Sequence, residues 1–205
     1  MTTPDHLGGH CNVTKINQPV LIDIQEKYKV KSLIDIGCGP GGMKVLCDKL
    51  NIDWYGIDGD PEVMETTDHS LLYDFTEGTP VIDREFDIAW STEFLEHIEE
   101  KYIPNFLPLF KKAKIVCCSA GLPGWPGHNH VNCQPPQYWI DVFKDYGFEY
   151  DDEYTNHLKS ISVPERVWNV DKNIGGDRTV KRGDITREGE RKNFFKLAGL
   201  FFKKI

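Results

Sequence analysis

The stretch Asp35-Ile36-Gly37-Cys38-Gly39-Pro40-Gly41-Gly42 constrains this chain more than any other part of it. It closes the short apolar run that begins at Lys31, and it is followed by Met43, Val45, Leu46 and Leu50, which recur at helical spacing. An apolar run of that length bounded by glycines reads as a buried strand. The glycines then allow a tight turn and close approach of a ligand to the backbone. Asp53-Trp54-Tyr55-Gly56-Ile57-Asp58 reads as a second strand ending on an acid, which completes one strand-helix-strand unit.

The alternation continues. Apolar runs at 70–73, 86–90, 114–118 and 148–150 are strand candidates, and Val20, Leu21, Ile24 and Tyr28 mark a helix ahead of the first of these units. The stretch 93–113 reads as helical, kinked or divided by Pro104 and Pro108, and 137–146 reads as a helix ended by Gly147. Such alternation predicts an α/β fold: a Rossmann-like, doubly wound, mostly parallel sheet with helices on both faces, whose ligands bind where the strands end. A length of 205 residues fits a single domain over 1–205, with an N-terminal helical extension over 1–30 and a basic C-terminal extension over 155–205. The apolar residues Phe194, Phe195, Leu197, Leu200, Phe201 and Phe202 predict that this terminus docks back onto the domain.

Charge narrows the partners. Residues 1–164 carry 13 basic against 26 acidic side chains, and residues 165–205 carry 11 against 6. An acidic body disfavours nucleic acid, and the basic stretch is most simply read as lying against that body. No run approaches the roughly 20 apolar residues of a membrane span, and the first residues lack the layout of a signal peptide, so a cytoplasmic protein is expected. The six cysteines are too few and too irregularly placed for a disulfide scaffold and read as reduced thiols.

Gly37, Gly39 and Gly42 satisfy G-x-G-x-x-G, so a dinucleotide oxidoreductase stands as one reading. The acids around the loop favour another. Asp35 precedes the glycines, Asp58 ends the second strand, Asp74 follows the third and Asp87 opens the fourth. A pyrophosphate meets an unfavourable field there, whereas an ammonium and a sulfonium are welcomed, as in S-adenosyl-L-methionine. Asp58 suits two ribose hydroxyls, and a turn-forming role in Asp-Gly-Asp-Pro stands beside that reading.

Over Lys31 to Gly147 the sequence resembles the class I S-adenosylmethionine-dependent methyltransferases with an E/D-x-G-x-G-x-G loop, here Asp35 to Gly41. Tyr55-Gly56-Ile57-Asp58 is similar to their ribose-binding strand end, Tyr73-Asp74-Phe75 to the segment flanking adenine, and Phe86 to Ile98 to the fourth strand with its Glu-His element. Gly8-Gly9-His10, the segment from His128 to Pro135, and Gly199 to Phe202 resemble uncharacterised viral and environmental members. The resemblance implies cofactor contacts at Asp35, Gly37, Cys38, Gly39, Gly41, Asp58, Gly59, Asp74, Phe75 and Ser91. It also implies methyl transfer, though it names no substrate; the acidic body suits a small molecule, a sugar or other glycan, or a lipid headgroup as acceptor better than nucleic acid, and a cofactor-binding partner subunit that lacks activity is a further alternative.

Catalytic candidates come from two places. Glu93, Glu96, His97 and Glu100 share one face if the stretch is helical; Glu93 lies nearest the strand end, and His97 suits catalysis or a loop hydrogen bond equally. The loop from Ala120 to Cys133 carries His128 and His130, either a general base oriented by Asn132 or a pair that holds the loop. Trp125, Asn132 and Tyr138 are candidates for the acceptor pocket, whereas Trp139 and Phe143 fit the core. No metal site is assigned, because His128, His130 and Cys133 match no closed four-ligand pattern.

Overall fold

The computed structural model describes residues 4, 6, 7, 10, 13–61, 69–163, 165–169, 180–182 and 193–205. Its main sheet has seven strands: β2 (Ser32–Ile36), β3 (Asp53–Asp58), β4 (Ser70–Leu72), β5 (Phe86–Thr92), β6 (Ala113–Ser119), β7 (Phe148–Tyr150) and β10 (Gly199–Lys204). They lie in the order β4-β3-β2-β5-β6-β10-β7. β2 to β6 pair in parallel, and β10 runs antiparallel to both of its neighbours. The order reverses between β2 and β5, so the crevice at the end of β2 is the topological switch point where an open α/β sheet takes its ligand. A separate three-stranded sheet joins β1 (Val13–Ile16) to β8 (Glu165–Asn169) and β9 (Val180–Arg182).

Neighbouring residues of each strand feed opposite cores, as the two-residue pleat requires. Leu33, Ile88, Trp90, Ile115, Cys117 and Phe201 pack beneath α1 (Gln18–Tyr28), α2 (Met43–Lys49) and α5 (Asp152–Ile161). Ile34, Ile36, Ala89, Val116, Cys118 and Phe202 pack beneath α3 (Ile103–Phe110) and α4 (Pro136–Asp145). Near-continuous apolar strands are what a sheet covered on both faces demands. Among the described residues no helix is long and apolar enough to cross a membrane. The basic stretch up to residue 192 falls largely outside the described residues; β8 and β9 are its described strands.

Three expectations are corrected. Residues 93–102 are not helical: Glu93 takes a left-handed φ of 55°, and two turns of 3-10 helix, Leu95–His97 and Glu100–Tyr102, lead into α3 only at Ile103. Pro104 stands in the first turn of α3, where its missing N–H is harmless. Pro108 lies inside the helix and donates nothing to the Pro104 carbonyl, which instead accepts from Thr79 Oγ1 at 3.4 Å. The C-terminal residues do more than dock. β10 inserts between β6 and β7, with Leu200, Phe201 and Phe202 buried. Asp87 lies at the opposite end of the sheet from the glycine loop, where it accepts from the amides of Lys31 and Ser32 and pairs with Lys114.

Candidate active site

The glycine loop leaves β2 with three left-handed glycines in alternation, Gly37 at φ 74°, Gly39 at 51° and Gly41 at 71°. Gly37 and Cys38 donate their amides to the Ile57 carbonyl at 2.9 and 3.0 Å, which ties the loop to the end of β3. Gly37 also lies against the Phe94 ring, leaving no room for a Cβ. The Gly39 amide donates to Asp58 Oδ2 at 2.7 Å and the Asp60 amide to Asp58 Oδ1 at 2.9 Å. A carboxylate offers about four lone-pair sites, so Asp58 keeps acceptor capacity toward the cavity beside it. Burial raises the pKa of Asp58 against the pull of those two amides.

One cavity opens above these strand ends. It gathers Asp35, Gly37, Cys38, Gly39, Asp58, Gly59, Asp74 and Phe75 of the expected cofactor residues, together with Glu93 and His97 of the expected catalytic ones. Asp35 is buried, accepts from Trp54 Nε1 at 3.1 Å, and is pushed up to about 7, first by burial. Asp74 accepts from the Thr76 amide at 2.8 Å and meets His6 Nε2 at 2.8 Å. Trp90 also lines the cavity, and its buried indole N–H has no hydrogen-bond partner. At the far end Glu93 pairs with Lys15 at 2.9 Å and accepts from Ser119 Oγ at 3.3 Å. Burial, and then the neighbouring His130, lower His97 to about 4.

Several expected residues stand elsewhere. Gly41 shapes the turn by donating its amide N–H to the Cys38 carbonyl at 3.1 Å and does not line the cavity. Ser91 is fully buried and donates to the Ile36 carbonyl at 2.8 Å, so its hydroxyl serves the sheet. His128 is exposed and does not line the cavity, and Asn132 is buried with its side-chain oxygen accepting from Gln134 at 3.0 Å. Trp125 packs edge-on to Phe194, and Tyr138 donates to Glu100 at 2.8 Å; neither lines the cavity. His130 is also outside the lining, but its ring meets that of His97 edge-on, centroids 4.8 Å apart. Trp139 and Phe143 are core, as expected.

The sequence reading missed the roof. His6, Leu7 and His10 line the cavity, with His10 Nε2 2.8 Å from Asp60 Oδ2, and Val13, Thr14 and Lys15 of β1 continue the same wall. Thr14 Oγ1 accepts from the Gly42 amide at 2.9 Å, which fastens β1 to the glycine loop. Glu96, named with Glu93 and His97 as sharing a face, is fully buried, a placement the sequence did not indicate, and no side-chain donor reaches its carboxylate. Burial, and then the charge of Glu93, hold it well above the usual carboxylate range.

Residues 34–121 match the family described as "Methyltransferase domain". Over 91 residues the chain is 29% identical to the chloroplastic tocopherol O-methyltransferase of Arabidopsis thaliana, a stretch covering 38% of this chain and 26% of that protein. The chain thus spans about a quarter of the length of the curated relative it matches. It is similar in structure to a SAM-dependent methyltransferase from Archaeoglobus fulgidus, with a TM-score of 0.52, 15% identity, and 91% of this chain and 94% of that chain covered. It is also similar to the O-methyltransferase from a trans-AT PKS multienzyme of Brevibacillus brevis in complex with S-adenosyl-L-homocysteine. There the TM-score is 0.54 at 16% identity, over 66% of this chain and 52% of that one. These structural likenesses concern the fold, and the family match falls on the segment that builds the cavity floor. Residues 34–121 are therefore similar to a methyltransferase domain, in a chain that has the class I methyltransferase fold.

Proposed function

We propose that the chain binds S-adenosyl-L-methionine in this cavity and moves its methyl group by in-line displacement to an acceptor, a small molecule or sugar, presented at the end marked by Glu93 and His97. The observation that carries the reading is the placement of Asp35, Asp58 and Asp74 around a glycine loop at the ends of β2, β3 and β4. The residues fit the group. Gly37 and Gly39 leave the backbone bare, Asp58 has acceptor capacity for ribose hydroxyls, and the Trp90 indole N–H offers an unused donor. When bound, the cofactor supplies an electrophilic methyl on a cationic sulfur. The protein's part is to hold that sulfur among carboxylates, align the acceptor and exclude water; alignment alone is worth about 7–11 kcal/mol in well-oriented reactions.

A pyrophosphate is a poorer fit. Among the lining residues Lys15 is the single Lys or Arg, and it is engaged by Glu93. A cofactor-binding subunit without activity is also less favoured, because Glu93 and His97 line the same cavity as the cofactor residues. Asp58→Ala is expected to weaken cofactor binding roughly 10–100-fold, the loss of charge-assisted hydrogen bonds worth about 1.5–3 kcal/mol. Calorimetric titration with S-adenosylhomocysteine and, in parallel, with NADH tests both points. Unchanged homocysteine-nucleoside affinity in the variant, or tight NADH binding by the unmodified chain, would sink the reading. A screen of hydroxyl- and amine-bearing acceptors with radiolabelled methyl donor then identifies the class of acceptor.

A further inference from the structure

Glu96 is the anomaly of this structure. Its carboxylate is completely buried, and no side-chain donor reaches either oxygen; the backbone amides of Glu96 and Gly121 are what faces it. A carboxylate removed from water without a partner is unfavourable unless a cation or a proton joins it. What surrounds it is a set of metal-binding side chains. One ligand atom from each of Glu96, His97 and His130 lies within 4.8 Å of the others. Three ligands at zinc-like bond lengths stand roughly 3.4 Å apart, so a small inward rotation of the side chains closes the set.

The backbone holds these residues together across a gap of 33 positions. Val131 and Asn132 both donate their amides to the Glu96 carbonyl at 3.0 Å, and Asn129 Nδ2 donates to the His97 carbonyl at 3.3 Å. The loop bearing His130 is therefore laced to the 3-10 turn bearing Glu96 and His97. His130 Nδ1 lies 3.1 Å from the Trp125 carbonyl and 3.5 Å from Cys133 Sγ; in the tautomer that donates to that carbonyl, Nε2 carries the lone pair. That second hydrogen bond is the usual orienting partner of a ligating imidazole. The packing is close on both sides and requires glycine there: a Cβ at Gly127 would collide with His130 Nε2, and one at Gly121 would stand 3.2 Å from Glu96 Cγ. Two imidazoles and one carboxylate suit a borderline divalent transition ion and not Ca²⁺ or Mg²⁺, which favour oxygen ligands.

We propose that Glu96, His97 and His130 form a binding site for a divalent transition-metal ion at the acceptor end of the cavity, with an open coordination position that takes a hydroxyl oxygen of the acceptor. His97 itself lines the cavity, which brings the ion to the wall where the acceptor is presented. The metal site stands on its own geometry; its coupling to an acceptor rests on the methyl-transfer reading. In that coupling the coordinated hydroxyl releases its proton to water, its oxygen forms a bond to the methyl carbon, and the carbon–sulfur bond breaks with its electron pair left on sulfur. The products are a methyl ether, a neutral thioether and one proton.

The test uses the full chain, stripped with a chelator, cleared of it and titrated with Co²⁺ while visible absorption and heat are recorded. One equivalent is expected, with the ligand-field bands of a nitrogen- and oxygen-bound ion. Glu96→Gln and His130→Ala should each weaken Co²⁺ binding at least 100-fold while circular dichroism shows both variants folded; the loop variant guards against a folding defect in the buried one. Absent ligand-field bands, or bands and affinity unchanged in both variants, would overturn the site. Homocysteine-nucleoside binding measured in the same samples separates the readings: its absence beside normal Co²⁺ binding refutes methyl transfer and upholds the site. Methylation of a hydroxyl acceptor at full rate in the stripped protein would overturn the coupling.

Discussion

Truncation after Ala198 is expected to leave a chain that does not fold cooperatively. β10 is paired along its length, from Gly199 opposite Ser119 to Lys203 opposite Ile115 on one side and with β7 on the other. Its two phenylalanines serve opposite cores. Phe202 stacks on Phe143 with centroids 4.6 Å apart, and Phe201 meets Tyr154 edge-on at 4.7 Å. Each is fully buried, so Phe201→Ala and Phe202→Ala should each cost about 3–5 kcal/mol, against a total stability of roughly 5–15 kcal/mol for a domain. For a chain of this size that is a fall in Tm of roughly 6–20 °C, read by thermal melting followed by circular dichroism. A truncated protein that melts cooperatively near the full-length midpoint would remove β10 from the sheet.

Asp35→Asn is expected to move stability and ligand affinity in opposite directions. In the folded protein burial pushes Asp35 up to about 7, above its ordinary value of 3.8. Between those values the folded state holds a proton that the unfolded chain gives up, so stability falls as pH rises through that window and the loss is complete above about 7. A shift of this size corresponds to about 4 kcal/mol at most. Asparagine keeps an oxygen for the Trp54 indole N–H and cannot ionise, so the variant should melt higher than the unmodified protein at pH 8 and equally at pH 4. On the function proposed above, the same variant loses a negative charge that faces the cofactor and should bind S-adenosylmethionine at least about tenfold more weakly at pH 8. An unmodified protein whose midpoint does not fall between pH 4 and 8 beyond that of the variant would show that Asp35 is ionised throughout.

What the sequence revealed was local in origin. β2, the glycine loop and α2 are legible because an apolar run, a glycine cluster and a helical period succeed one another within about twenty residues. Asp35, Asp58 and Asp74 are legible because each stands beside the end of its own strand. The face shared by Glu93, Glu96 and His97 was an artefact of assuming helical periodicity where the backbone turns left-handed at Glu93. The burial of Glu96 was not legible from that pattern, since acidic residues are seldom buried without a partner. The roof from His6 to Lys15 and the meeting of His130 with His97 depend on contacts between segments far apart in the chain, and no local pattern encodes them. Leu200 opposite Cys118 is the same case: the apolar terminus was visible, but the gap it fills was not.

The position of β10 also sets a timetable for synthesis. β6 ends at Ser119, yet the neighbour that covers its free edge begins only at Gly199. At about 5–20 residues per second a ribosome takes roughly 4–16 s to deliver that strand once β6 has been made. During that interval β6 carries an uncovered, strongly apolar edge of the kind that pairs with other chains. The nascent protein is therefore most exposed to aggregation, and most in need of a chaperone, while the middle of the chain is complete and its last strand is still being translated.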